Sequence, residues 1–279
     1  MSDFLLTGTL QSTILMLVAL GIAIPFRILR VSDLTVEGSF PLGGAVYAAL
    51  ALAQVNPLLA TLLAGFAAGL LGIGTALIHQ RLRVEVMLGG IILSTMVYSI
   101  NLRLMGQPNL SLLDVPSLFF SSSSKLPVLM GVVLVLGGAL WCFLQTENGL
   151  RMRAAGCNPR AASNLGINCN SYLVLGLFIG NLIAGIAGGL AVQNQAYADV
   201  GMGVGMVIHA LAALLLGECL LGSQSLGRQL AAPLVGAFCY QHIQGFALYG
   251  GLIPSDLRLV TGLVVLAVLL FFRKVPTQS

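Results

Sequence analysis

The sequence predicts an all-α polytopic membrane protein with about nine transmembrane helices, and eight to ten are compatible with its length. Three observations predict this. Of 279 residues, 57% are hydrophobic and only 8% charged, whereas a soluble domain carries roughly 25% charged residues. With a mean hydropathy of +0.97, the chain lacks the polar atoms to cover its own surface in water. Second, its apolar stretches are continuous rather than alternating, and only helices or closed barrels satisfy the backbone in lipid, so strands are improbable. Third, at about 20 apolar residues per span the whole chain, 1–279, is used up by one transmembrane domain, leaving no room for a separate soluble one.

In chain order the expected spans are roughly 9–26, 34–53, 57–78, 84–104, 126–145, 171–194, 202–220, 230–247 and 257–272. Polar or Pro/Gly-rich breaks part them, the longest being 105–125 and 146–170. The first span follows a stretch with no basic residue and with acidic Asp3, so it is expected to stay as a helix rather than be cleaved as a signal peptide. Nine spans divide the basic residues ten against three. Arg27, Arg30, Arg81, Arg83, Arg151, Arg153, Arg160, Arg228, Arg273 and Lys274 fall on one side, and Arg103, Lys125 and Arg258 on the other. The positive-inside rule then places the 146–170 loop and the carboxyl terminus in the cytoplasm and the amino terminus outside. No cysteine falls in an expected outer loop, so no disulfide framework is predicted. The formal net charge of +4 is spread over loops and marks no nucleic-acid surface.

Within the spans, Gly65-Phe-Ala-Ala-Gly69 and Gly185-Ile-Ala-Gly188-Gly189 are small-residue patterns that allow close helix approach, within one bundle or at a dimer contact. They lie on oppositely directed helices, a faint sign of an inverted repeat.

Four stretches are chemically distinctive. In Asp33-Leu-Thr-Val-Glu37-Gly-Ser-Phe40-Pro41-Leu-Gly43-Gly44, two carboxylates four apart share a helix face. Gly38, Pro41, Gly43 and Gly44 then predict a broken second helix, a feature tolerated at membrane depth where it lines a cavity. Glu37 and Phe40 are therefore pathway candidates, although Asp33 and Glu37 also suit a helix cap and first turn. Asn101 and Arg103, at the outer end of the fourth span, are suited to a carboxylate, and Arg103 equally to anchoring in head groups. Gln193, Gln195 and Asp199 close another helix on the outer side and are candidates for a vestibule. Finally, the loop Thr146–Ile167 predicts a short helix from Leu150 to Ala155 stopped by Gly156. A second runs from Pro159 to Leu165 with Asn158 as N-cap and Gly166 as C-cap; it is either a docking knob for a soluble partner or an ordinary positive inner loop.

Absences narrow the chemistry. Neither lysine lies in a phosphate-loop frame, so the chain is not its own ATPase, and Gly201-Met-Gly-Val-Gly205 has no preceding strand to make a nucleotide loop. His79, His209 and His242 lack metal-ligand companions, and no nucleophile motif appears. An ion-coupled secondary transporter, the competing class, needs ionisable groups near the bilayer midplane; His209, expected mid-helix, is the one candidate.

The loop Thr146…Gly149…Arg153-Ala154…Gly156…Asn158…Ala161…Gly166-Ile167 resembles the coupling loop of membrane permeases in ABC importers of the branched-chain amino acid and sugar family. The Asp33–Gly43 stretch, Tyr98–Gly106 and Pro254–Thr261 are similar to the tryptophan/tyrosine-type subgroup. The likeness runs over roughly residues 10–272, with Glu37 where aspartate is usual and Cys157 where a small hydroxyl residue is. It implies a multi-pass permease of a bacterial cytoplasmic membrane, working as a homodimer. It also implies an ABC ATPase dimer that binds ATP and magnesium, so this chain needs no cofactor. An extracytoplasmic binding protein would deliver the small solute, with amino acids, aromatic ones included, fitting the subgroup. Gly149, Arg151, Arg153, Ala154, Gly156, Asn158, Ala161 and Gly166 are the expected coupling residues.

Overall fold

The computed structural model describes residues 2–113, 115–119 and 125–251, together with 259, 261–263 and 266. Helix α1 runs Ser2–Ala23 and continues as a widened turn over Ile24–Leu29. It is followed by α2 (Val36–Leu52), α3 (Pro57–Leu82), α4 (Val86–Met105), α5 (Lys125–Gln145), α6 (Glu147–Cys157) and α7 (Pro159–Asn164). The series ends with α8 (Cys169–Gln195), α9 (Met206–Leu221) and α10 (Leu226–Tyr249). The ninth expected span, Arg258, Arg273, Lys274 and the carboxyl-terminal side lie largely outside the described residues.

Among the described residues, Leu6–Leu29, α3, α4, α5 and α8 are long and apolar enough to cross a membrane, and α2 and α9 are apolar but shorter. Helix α10 is long but carries Arg228, Gln229, Gln241, His242 and Gln244. Leu58, Leu59, Leu62, Phe66 and Leu70 of α3 and Leu134 and Val135 of α5 stand exposed, the surface expected of a multi-pass protein solvated by lipid.

Helix α8 is the hub, packed by α1, α2 and α3. Small residues make the approach possible. A Cβ on Gly43 would stand 2.1 Å from the Gly185 carbonyl oxygen, and one on Gly185 would stand 2.2 Å from the Ala68 Cβ. The Gly65 and Gly185 patterns thus meet within one chain, because neighbouring antiparallel helices can close only where side chains are absent.

The bundle has two distinct ends. At one, the α1 terminus touches α6, and Gln80 Nε2 of α3 donates to the Asn170 carbonyl at 2.9 Å. At the other, β1 (Asn109–Ser111) pairs antiparallel with β2 (Tyr197–Asp199), and Lys125 Nζ donates to the Asn194 carbonyl at 3.1 Å. These strands are a departure from the all-helical expectation, and β2 precedes the glycine run after all. They are short and pair the loop after α4 with the loop after α8, where alternation and membrane thickness impose nothing.

The second helix also departs from expectation. Helix α2 runs unbroken through Gly38, Pro41, Gly43 and Gly44, and the interruption lies earlier, in the non-helical 30–35 segment. Pro41 removes the N–H that would bond the Glu37 carbonyl, but the helix axis is held on both sides by glycine contacts with α8. Because Ser39 meets Asn181, which lies about 18 Å along α8 from its start at 1.5 Å per residue, α2 begins deep inside the bundle. Residues 30–35 carry the chain there from the α1 terminus.

Candidate functional site

The extended entry to α2 is held by a buried polar network. Asp33 Oδ1 accepts the Thr35 N–H at 2.8 Å, and its Oδ2 accepts from Asn181 Nδ2 at 2.8 Å. Ser39 Oγ donates to Asn181 Oδ1 at 2.6 Å, and the Thr35 and Thr75 hydroxyls meet at 2.6 Å. Asp33 therefore stabilises the turn before the helix and ties it to α8. It does not share a face with Glu37, since helical spacing does not apply before Val36.

Glu37 sits in the first turn of α2, and Oε1 accepts the Gly205 N–H at 3.3 Å. The glycine turn 201–205 brings the start of α9 against α2: a Cβ on Gly203 would stand 2.1 Å from the Glu37 carbonyl oxygen. Two helix N-termini, which favour negative charge, thus converge on the carboxylate. Between them and α4 lies a cavity of about 260 Å³ lined by Glu37, Pro41, Ser94, Thr95, Tyr98 and Asn101, with Val200, Gly203 and Val204.

The seven pathway candidates do not form one site. Glu37 and Asn101 share this cavity. Phe40 and Gln195 line a second, of about 210 Å³, with His209 and Gln241. Gln193 lines a third with Lys125 and Tyr47, and it is a structural tie, donating to Thr61 Oγ1 at 2.9 Å and accepting the Leu118 N–H at 3.0 Å. Arg103 is exposed at the end of α4. Asp199 turns its Oδ1 to the Gly201 N–H at 2.5 Å, and neither residue lines these three cavities. Ser94 and Thr95 were not singled out from sequence, although Ser94, Tyr98 and Asn101 recur at helical spacing on one face of α4.

His209 is not mid-helix. It lies in the first turn of α9, because the glycine run delays the helix to Met206, and its Nδ1 meets the Tyr240 hydroxyl at 2.7 Å.

At the Arg-rich end, α6 and α7 fill the 146–170 loop. Thr146 and Asn158 cap them, accepting from the Gly149 and Ala161 N–H groups at 3.4 and 3.1 Å, and Gly166 has φ +79° beyond α7. Gly156 does not stop α6. It lies inside the helix, where a Cβ would come 1.9 Å from the Ile28 carbonyl oxygen, so glycine here permits contact rather than termination. Gly149 packs on Leu144, and Ala154 and Arg153 are half-buried. Arg151, Asn158, Arg160, Ala161 and Leu165 are exposed. Tyr172 and then Glu147 hold the Arg151 guanidinium further toward its charged form than usual.

Below α1, Arg27 makes a two-pronged ion pair with buried Glu218 of α9, a lone carboxylate in an apolar run that was not singled out from sequence. The Arg-rich end is thus linked through α1 to the helix whose other end faces Glu37.

Residues 4–272 match the family described as branched-chain amino acid transport system / permease component. The chain is 33% identical over 259 residues to a tyrosine transport system permease protein of Clostridioides difficile, spanning 93% of this chain and 88% of that protein. It is 27% identical over 249 residues to a galactofuranose transporter permease protein of Escherichia coli, spanning 85% and 70%. A nucleoside ABC transporter permease protein of Lactococcus lactis is 30% identical over 151 residues, 53% of this chain and 44% of that one. No solved structure matches. A lipid-facing helical bundle, a polar cavity where two helices begin inside it and a family match over nearly the whole length agree: this chain belongs to the permease components of branched-chain amino acid-type transport systems.

Proposed function

We propose that this chain is the membrane subunit of an ATP-driven importer of a small solute, with an amino acid, aromatic ones included, as the solute. Two copies form the pathway in a bacterial cytoplasmic membrane with the Arg-rich end and the carboxyl terminus inside. An extracytoplasmic binding protein delivers the solute, and a separate ATPase dimer grips α6 and α7. The observation that carries this is the two-helix element at the Arg-rich end: its outer face is exposed, and its inner face rests on α1 at Gly156. A rigid knob seated on the end of a spanning helix suits transmission of force and needs no catalytic group. The tyrosine transport permease among the relatives supports the amino-acid assignment.

The polar face of α4 that carries Ser94, Thr95 and Tyr98 supports a second copy or a water-filled path there, since lipid favours neither hydroxyls nor carboxylates. Alternating access would move α2 and α9 about the cavity as α6 is driven. The test is uptake into vesicles holding the permease with and without its ATPase partner. Uptake that requires ATP and falls at least tenfold when Ala161 and Leu165 are both replaced by Arg is the expected result. Uptake by the permease alone, collapsing with an ion gradient, would overturn it.

A further inference from the structure

Asn101 is fully buried, and neither its amide nitrogen nor its oxygen has a hydrogen-bond partner among the described residues. The other buried amides, Asn181, Gln193 and Gln244, are all engaged, as buried polar groups normally are. An amide left open at both ends is costly unless something outside the chain completes it.

Its surroundings define what that would be. Asn101 lines the 260 Å³ cavity together with Glu37. Glu37 receives one long backbone hydrogen bond and forms no ion pair among the described residues, although a carboxylate inside a bundle calls for a cation or donors. The Ser94 and Thr95 hydroxyls already donate to the Ile91 carbonyl at 2.9 and 2.8 Å, so they offer the cavity acceptor lone pairs only. The wall is therefore rich in acceptors: a carboxylate, an amide oxygen and two hydroxyl oxygens. Its one uncommitted side-chain amide donor is Asn101 Nδ2, and Tyr98 adds an aromatic surface attractive to a cation.

We infer that this cavity reads the backbone of a free α-amino acid: Glu37 and Asn101 Oδ1 accept from the ammonium group, and Asn101 Nδ2 donates to the carboxylate. Pro41, Val200, Gly203 and Val204 leave an apolar wall for the side chain. The assignment rests on the importer role proposed above and adds the site and the groups it recognises.

The test is equilibrium binding of labelled L-tyrosine to the full-length permease in nanodiscs, with competition by tyramine, which lacks the carboxylate, and by 3-(4-hydroxyphenyl)propionate, which lacks the ammonium. Each competitor is expected to bind at least tenfold more weakly than L-tyrosine. E37Q should cut the preference for tyrosine over the amine-free acid at least tenfold, and N101L, which removes two charge-assisted hydrogen bonds, should weaken tyrosine by more than tenfold. Equal competition by the amine-free acid, or unaltered tyrosine binding in E37Q, would overturn the assignment. If N101L splits the dimer while tyrosine binding is unchanged, a second copy completes Asn101 and the inference is wrong. ATP-driven tyrosine uptake in vesicles without measurable binding in nanodiscs refutes the site and spares the importer role. Binding that follows the pattern without ATP-dependent uptake refutes the importer role alone.

Discussion

Single side chains hold the parts of this permease that would have to move. Arg27 and Glu218 join α1 to α9, with the carboxylate side chain almost completely buried and the guanidinium one-third exposed. Removing one partner strands the other's charge, whereas removing both for apolar groups costs little. E218A should therefore lower unfolding stability by about 2–4 kcal/mol, and the double variant R27M/E218L should recover most of it, read by thermal unfolding in detergent. Asn181 works in a similar way at a junction without an ion pair, accepting from Ser39 and donating to Asp33. N181A leaves Asp33 with one hydrogen bond fewer and Ser39 unpartnered, at a cost of about 2–3 kcal/mol. Because the network fixes residues 30–35, the same variant should increase proteolysis within that segment. None of these pairings is readable from spacing, since Arg27 and Glu218, or Asp33 and Asn181, lie far apart in sequence and meet only when the helices pack.

Among the elements, α6 and its seat on α1 are the junction where the sequence predicts two short helices correctly and misreads the glycine expected to end the first. The caps at Thr146 and Asn158 follow from local chemistry, because a side-chain oxygen bonding an N–H three residues ahead needs no tertiary partner. Gly156 looked like a helix stop by the same local logic, yet its role is set by the Ile28 carbonyl opposite. Placing a Cβ there demands that α6 lift away from α1. G156A should leave the fold in place but reduce ATP-driven uptake at least tenfold while ATP hydrolysis by the complex continues, which measuring both rates in one vesicle preparation would check. Helix α2 carries the complementary lesson. Gly38, Pro41, Gly43 and Gly44 signal an irregularity by propensity, but packing against α8 keeps the helix whole and moves the break to 30–35.

Across the whole molecule, the uneven distribution of arginine divides the bundle into two ends, and α6, α7 and the α1 terminus gather at the rich one. Cys157 is exposed there. In a variant retaining only this cysteine, an impermeant maleimide should react after cells are opened and not before. Reaction in intact cells would invert the proposed orientation.

What the sequence determined alone was whatever depends on local or averaged chemistry. That covers the helical class, from continuous apolar runs; the positions of the long apolar helices; the paired short helices of the 146–170 loop; and Glu37 and Asn101 as candidate pathway residues. Tertiary structure decided which of them meet. Glu37 and Asn101 share a cavity only because residues 30–35 and 201–205 let α2 and α9 begin inside the bundle, while Phe40, Gln193 and Gln195 are turned elsewhere. Periodicity specifies the face a side chain occupies within its own helix. Which helix that face meets, and at what depth, is fixed by glycine-to-backbone contacts between segments far apart in the chain.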